Sequence, residues 1–291
     1  MNLVLVGQAM IGGLIMGSVY ALLGAGFSLA WGVMRVVHIS HPAFGLLAAY
    51  LAYWLLKATG LDPLLSLFFS APLFFMLGLL VYRWLIQPIT RARETMVASM
   101  IVFVGLSIIL ENVIMLIWSP DPRLLKPAYS GQVYILGPFY FQAPHLLAFG
   151  LAALGITGLH LFLRHTLTGK AVRAAWQQPE AAQIHGIRLS YISALTFGLA
   201  LATAALGGVA LAFLYTFDPY AHNLWLVYLF LVVIVGGVGN LLGSALAGLL
   251  IGLITGLSLA FVPYHWVNLI VFGLLMLVLL FRPQGLFGQG K

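Results

Sequence analysis

His38 and His41 lie three residues apart in the segment HISHPA, a spacing at which two imidazoles on one helical turn could bind a metal ion. No third ligand lies nearby in the sequence, and Pro42 interrupts a helix at this point. We therefore interpret the segment, with Ser40, as a turn of polar backbone and expect no metal there.

Glu111 is the second residue whose side chain could have a chemical role, because it lies within the apolar run MIVFVGLSIILENVIMLIW. A carboxylate inside a membrane is expensive, and it typically marks a proton relay or a contact with transported solute. Glu111 also lies about two helical turns from the predicted outer end of its helix. A structural pairing with the outer loop or with a neighbouring helix is the alternative.

The third feature is a polar segment, residues 164–188, which carries five of the nineteen Lys, Arg, Asp and Glu residues of the chain. Its pattern predicts two short helices, the first over TGKAVRAAWQQ with Thr168 as N-cap. The second begins at Pro179 and ends at Gly186, which caps its C-terminus.

The second short helix has a composition suited to close contact with another protein. Glu180 favours the helix start electrostatically, while Ala181, Ala182 and Ile184 form a compact surface that fits a groove. The alternative is a helix lying at the lipid interface.

Known catalytic motifs are absent from the sequence. There is no HExxH, no GxSxG and no phosphate loop of the GxxxxGK[ST] type, so the chain itself is predicted not to hydrolyse nucleotides and not to be an enzyme. Cysteine is also absent, which removes disulfides and thiolate chemistry.

The composition indicates that membrane helices position these residues. Of 291 residues, 63% are hydrophobic, 7% are charged, and the mean hydropathy is +1.08, which exceeds what a globular core of this length could bury. Predicted spanning helices occupy Leu3 to Met34, His41 to Leu56, Leu64 to Tyr82, Thr95 to Trp118, His145 to Leu163 and Leu189 to Phe217.

The uncharged run Pro219 to Phe281 is too long for one crossing. Turn signals at GGVGN and VPYHW divide it into three helices. We therefore predict an all-α polytopic membrane protein with about eight or nine spans, forming a single domain over residues 1–291.

The distribution of Lys and Arg predicts the orientation of the chain. If residues 164–188 are cytoplasmic, ten of the thirteen basic residues lie on the same side. Those outside the 164–188 segment are Arg35, Arg83, Arg91, Arg93, Arg282 and Lys291. Residues 119–143 are then an ordered external loop. The net charge of +7 is explained by topology, so no nucleic-acid partner is expected.

Two polar or glycine-rich breaks, HISHPAFG and GGVGNLLG, interrupt the apolar helices. Non-helical backbone at membrane depth needs protein or water around its polar groups, so such breaks mark a transport pathway. The predicted pathway residues are His38, Ser40, His41, Gly236, Gly237 and Asn240, with Glu111 as a further candidate. The alternative is that the breaks and the GxxxG sets, Gly13 with Gly17 and Gly248 with Gly252 and Gly256, serve helix packing.

Several ordered segments carry a resemblance to a known family: GSVYALLGAGFSLAWGV, TGKAVRAAWQQPEAAQIHGI, LTFGLALATAALGGV, VVIVGGVGNLLGSALAGLLIG and FRPQGLFG. They resemble the branched-chain amino acid ABC importer permeases of the LivH/LivM type, and EAAQIHG is similar to the cytoplasmic loop of importer permeases that docks on an ATPase subunit. The resemblance implies coupling residues at Arg173, Pro179, Glu180, Ala181, Ala182 and Gly186.

The resemblance also implies partners: a second permease subunit, usually a related chain in a heterodimer, two cytoplasmic ATPase subunits that hold ATP and magnesium, and a periplasmic solute-binding protein. The implied location is the bacterial inner membrane. No cofactor is expected on this chain.

The sequence departs from the family where cargo contact is expected. HISHPA stands in place of the usual Asn-x-Ala-His-Gly-Glu stretch, with His41 retained, and Gly236 to Asn240 replace Gly-Gly-Leu-Gly-Ser. Cargo is therefore open among branched-chain amino acids, other amino acids, urea, amides and small aromatic acids. A secondary transporter using Glu111 and a non-transporting scaffold built on the GxxxG surfaces are the alternative classes.

Overall fold

A computed structural model describes residues 3–90 and 93–288, so Arg91 and Lys291 of the orientation argument lie outside the described residues. The chain is mostly helical. Its helices are α1 (Leu3–Met34), α2 (His41–Thr59), α3 (Pro63–Val81), α4 (Gln87–Ile89), α5 (Thr95–Trp118), α6 (Ala143–His165), α7 (Leu167–Gln177), α8 (Pro179–Ile184), α9 (Leu189–Leu214), α10 (Ala221–Gly236), α11 (Leu241–Phe261) and α12 (Tyr264–Phe281). A π-helical segment, Tyr82–Ile86, joins α3 to α4.

Six helical stretches of the described chain are long and apolar enough to cross a membrane. They are α1, the α3–α4 stretch over Pro63–Ile89, α5, α6, α9 and α11, and two shorter apolar helices cover Ala221–Gly236 and His265–Phe281. The run 219–281 forms three helices, as the turn signals predict. The protein is therefore a multi-pass membrane protein, while the count of eight or nine spans stays a prediction.

Helix α9 is the centre of the bundle: it packs against α1, α2, α3 and α6. Within an apolar stretch of 18 residues in α9, 78% of the residues are buried, compared with 11% in the corresponding stretch of α5. Helix α5 thus lies at the periphery and exposes apolar side chains such as Ile101, Ile109 and Leu116.

The GxxxG glycines bring α1 and α11 into backbone contact. A Cβ atom at Gly13 would lie 2.6 Å from the carbonyl oxygen of Gly252, and one at Gly17 would lie 2.7 Å from that of Gly248. The two glycine stripes therefore face each other within one chain. This placement confirms the packing interpretation of these glycines.

The 119–143 loop contains the antiparallel strands β1 (Val133–Leu136) and β2 (Phe139–Gln142), so the all-α prediction is wrong for these residues. Aromatic and β-branched residues flank Gly137, whose φ of +59° allows the tight turn. The side chain of Gln8 on α1 bonds to both the N–H and the C=O of Tyr140, at 3.2 and 2.9 Å.

The same loop is also attached to the start of α3. The hydroxyl of Tyr129 donates a hydrogen bond to Asp62, 3.3 Å away. Burial, and then the negative charge of Asp62, raise the pKa of Tyr129, which keeps the phenol protonated as a donor. The loop is thereby ordered, as the sequence predicts.

Candidate functional site

The 164–188 segment folds into the short helices α7 and α8, as its pattern predicts. The N-cap differs from the prediction: the Oγ1 atom of Thr166 accepts the N–H of Gly169 at 2.9 Å, so the helix begins at Leu167 and Thr168 lies within its first turn. Thr166 is the N-cap of α7 because α6 ends at His165, which leaves Thr166 with the extended backbone that an N-cap needs.

Helix α8 begins at Pro179 and ends in a Schellman motif. The N–H of Ile187 bonds to the carbonyl of Ala182 at 3.0 Å, and that of Gly186 bonds to Gln183 at 2.9 Å. Gly186 has φ +81°, a left-handed conformation that glycine adopts without a Cβ clash. The predicted cap at Gly186 is confirmed.

The side chains of α8 divide between an inner and an outer face. Ala182 is only 4% exposed and packs within the chain, whereas Ile184 is 85% exposed. Glu180 is also exposed, and Ala181 is half-buried. The expectation that Ala182 presents itself to another protein is therefore corrected: Ala182 faces the chain, while Glu180 and Ile184 are exposed.

An open groove of about 850 Å³ runs beside α8. Its walls combine α7 and α8 with the turn between α10 and α11, and they include Trp176, Ala181, Val238, Asn240 and Gly288. The groove thus places the polar helices next to the second predicted break.

In the second break, glycine residues form the turn of the backbone, and hydrogen bonds from polar groups hold that turn in place. Gly237 and Gly239 have φ values of +87° and +83°. The N–H of Gly239 donates to Ser28 Oγ on α1 at 2.9 Å. Asn240 caps α11 by accepting the N–H of Gly243 at 2.9 Å, and its Nδ2 donates to the carbonyl of Phe287 at 2.7 Å.

The first break is buried. His38, Ser40 and His41 have 0% exposure, and the Nδ1 atoms of the two imidazoles lie 3.3 Å apart. The rings of Phe103 and Phe197 lie 4.6 Å from the His38 ring. Three polar atoms here, Nε2 of each histidine and Oγ of Ser40, have no hydrogen-bond partner among the described residues. Apolar surroundings leave these polar atoms unsatisfied, which is a costly arrangement.

The two breaks share no hydrogen bond or ring contact among the described residues. Phe27 of α1 links their surroundings: its ring lies 5.8 Å from His41 and 5.5 Å from Phe230 of α10. In this conformation Asn240 lines the groove, while the histidine segment is sealed behind aromatic side chains.

Glu111 pairs with a neighbouring helix. Its Oε2 lies 3.2 Å from Nε2 of His222 and 3.5 Å from Nδ2 of Asn223, at the start of α10. Ser107, one turn before Glu111, lies 3.3 Å from the same His222 nitrogen. The structure therefore provides the structural pairing that was one of the two interpretations of this carboxylate.

Two features of the site were not predicted from the sequence as site residues. The indole of Trp176 packs against Gly32 and Gly239, where a Cβ at Gly32 would lie 3.0 Å from it. The C-terminal residues close over the second break, with the N–H of Leu286 bonded to the carbonyl of Val235 at 2.7 Å. The family-like segment FRPQGLFG was the only signal of this contact.

A bundle of apolar helices, with two polar or glycine-rich segments between them and one amphipathic helix pair, defines a multi-pass membrane protein. The chain belongs to the family described as "Branched-chain amino acid transport system / permease component", whose model matches residues 9–280.

Relatives of the chain are named as branched-chain amino acid transport permeases. The chain is 26% identical to the high-affinity branched-chain amino acid transport system permease protein LivH of Salmonella typhimurium, over 97% of this chain and 95% of that protein. It is 29% identical to BraD of Pseudomonas aeruginosa, with the same coverage, and 25% identical to a probable LivH of Methanocaldococcus jannaschii, over 97% and 93%. No solved structure gives a significant match.

Proposed function

We propose that this chain is the membrane-spanning subunit of an ATP-driven importer, which passes a small amino acid from a periplasmic binding protein to the cytoplasm across a bacterial inner membrane. The family and the names of the relatives support the transport role. Eight or nine spans, with residues 164–188 on the cytoplasmic side, complete the proposed topology. ATP and magnesium belong to two separate ATPase subunits, because the sequence has no phosphate loop.

The observation that carries the proposal is the α7–α8 pair. The two short helices are capped at Thr166 and Gly186, and Ile184 is exposed beside an open groove, which supports a docking surface for another protein. The groove also reaches Asn240 of the second break. Movement of a docked ATPase could therefore be transmitted to the break through Trp176 and the α11 cap.

The pathway is proposed to run by both breaks, with His38, Ser40, His41, Gly236, Gly237 and Asn240 along it. The unsatisfied nitrogens of the histidines support this, since they would gain partners once water or solute reached them. A transit site has to bind weakly enough to release its solute. Branched-chain amino acids are the first cargo to test, followed by other amino acids, urea, amides and small aromatic acids.

A second permease subunit is required to form a central path, and a related chain in a heterodimer is the proposed arrangement. Helix α5 exposes many apolar side chains, either to lipid or to that subunit. The solute-binding protein would dock on the side of the β1–β2 hairpin.

The test is co-purification of the ATPase subunits with the permease, together with ATP-dependent uptake in proteoliposomes. Ile184→Glu should abolish both, because a charge placed in a packed interface is unpaired and desolvated, at a cost of several kcal/mol. Ile184→Leu is the matched control, because it keeps an apolar side chain of similar volume at the same exposed position. Folding of both variants is checked by their thermal unfolding midpoints.

Full ATPase binding and full uptake by the Ile184 variant would contradict the proposal and leave α8 as an interfacial helix. Ala182 is unsuitable for this test, because its burial within the chain would combine a folding defect with a docking defect.

A further inference from the structure

A second cavity, of about 310 Å³, shares Trp176 and Asn240 with the groove described above. Its walls come from the ends of α1 and α6, from α7 and from the start of α11. Because α6 ends at His165 and α11 begins at Leu241, the cavity lies where two candidate membrane spans reach the membrane boundary.

Three basic side chains line this cavity: His160 and Arg164 from α6, and Arg173 from α7. Within the described chain, no carboxylate lies within 4 Å of either guanidinium or of this imidazole. No hydrogen bond from either arginine side chain to another described residue is formed. The two guanidinium groups are therefore available to a ligand, since the described residues provide no counter-charge for them.

The start of α11 adds to the positive character of the cavity. Leu241 and Leu242 form part of the wall and lie in the first turn of a 21-residue helix, whose first N–H groups have no intrahelical acceptor. Such a turn favours negative charge.

Much of the remaining wall is apolar. Leu29, Val33, Leu163 and Val172 line the interior. Farther along the same two helices, Leu161 of α6 and Leu246 of α11 are exposed apolar residues. A ligand that fits this arrangement has an anionic head and an apolar tail.

We infer that this cavity binds the phosphate headgroup of an anionic phospholipid, with Arg164 and Arg173 bonding the phosphate and the acyl chains lying along α6 and α11. Basic pockets between membrane helices are suited to such headgroups. Arginine is suited to phosphate because its guanidinium can donate two parallel hydrogen bonds. The bound lipid would connect α7 to Gly239 and Asn240 of the second break, which share this wall.

The experiment measures lipid retention by the full-length chain, in the complex in which it purifies, using native mass spectrometry from a neutral detergent. The probes are phosphatidylglycerol, phosphatidylcholine with the same acyl chains, and inorganic phosphate. We expect phosphatidylglycerol to be retained at least fivefold more tightly than phosphatidylcholine, and millimolar phosphate not to displace it.

The variants test the site itself. Arg164→Gln or Arg173→Gln alone should weaken phosphatidylglycerol binding about fivefold, which is the contribution of one basic residue near an anionic lipid surface. The double variant should lose the preference for phosphatidylglycerol over phosphatidylcholine. Arg164→Lys should retain part of the preference. Lys170→Gln on α7 is the matched control, because Lys170 is exposed and does not line the cavity.

Equal retention of the two lipids by the unaltered protein would overturn the inference, and this arm needs no variant to fold. An equal loss from Lys170→Gln would also overturn it, by showing a diffuse surface charge in place of a site. If inorganic phosphate displaced the lipid and was retained by itself, the ligand would be a soluble anion and the lipid assignment would be wrong.

Discussion

The carboxylate of Glu111 and the imidazole of His222 lie 3.2 Å apart between α5 and α10, and His222 is only 2% exposed in its side chain. The pair joins a peripheral helix to the bundle, and Asn223 adds a second contact. This contact supports the interpretation of Glu111 as a structural pairing between neighbouring helices.

Glu111→Gln should therefore leave ATP-dependent uptake within about twofold of the parent, because glutamine still accepts a hydrogen bond from Asn223 or His222. Glu111→Leu should lower the free energy of unfolding by about 1–3 kcal/mol, since it removes the carboxylate partner of a buried imidazole and leaves only Ser107 beside its Nε2 atom. Proteoliposome uptake and thermal unfolding in detergent measure the two effects. Loss of uptake in the glutamine variant, with unchanged stability, would support the secondary-transporter alternative.

Adjacent glycines on α1 provide a test of the α1–α11 contact. Gly13→Ala should destabilise the protein by about 1–3 kcal/mol, because the added Cβ meets the backbone of Gly252 at 2.6 Å and backbone cannot rotate away. Gly12→Ala is the control, since no atom lies within 4 Å of its Cβ position. Helix propensity alone makes alanine the better residue there.

The measurement is the unfolding midpoint of each variant in detergent, with size-exclusion chromatography to exclude aggregation. Equal midpoints for the two variants would show that α1 and α11 do not pack through these glycines.

Sequence reasoning located the helices well because long apolar runs have one stable form in a bilayer, and turn residues such as Gly236 to Asn240 divide them. It also predicted the cap at Gly186, since few residues other than glycine adopt a positive φ easily. The predicted N-cap at Thr168 was wrong, because the end of α6 determines where α7 begins. The local sequence pattern does not show where α6 ends.

The hydrophobic periodicity of the sequence could not predict which side chains of the short helices are buried. The six-residue helix α8 has too few turns for a pattern to show that Ala182 faces inward and Ile184 outward. The hairpin at Val133 to Gln142 was not predicted because it lies in a loop outside the long apolar runs, where only a weak strand pattern is present.

The cap of α8 can be tested at Gly186, where nothing lies within 4 Å of a Cβ position and any cost comes from the backbone. Gly186→Ala should favour local opening by about 1–2 kcal/mol, the cost of left-handed backbone for a residue with a Cβ. Trypsin cleavage after the nearby Arg188 should then be roughly 5 to 30 times faster.

Gly158→Ala on α6 is the control for this cap, because Gly158 also has open space around it and lies in regular helix. Gly186→Asn should fall between the two, since asparagine tolerates this conformation better. An unchanged cleavage rate in Gly186→Ala would show that the Schellman turn does not hold α8 in place.

The absence of cysteine from the chain makes the pathway accessible to a direct test. Ser40 has 0% exposure in this conformation, so a Ser40→Cys variant should react slowly with a water-soluble maleimide at rest. If the histidine segment lines a path that opens during transport, the same cysteine should react at least tenfold faster during turnover. Turnover requires the ATPase subunits, binding protein, solute and ATP. The reason is that opening admits water to the unsatisfied Nε2 atoms of His38 and His41. Ser190→Cys, on the exposed start of α9, should react rapidly under both conditions, and Ser66→Cys, at 0% exposure in α3, should stay protected under both. Equal protection of Ser40→Cys and Ser66→Cys throughout turnover would place the transport path elsewhere and leave the histidines as buried packing residues.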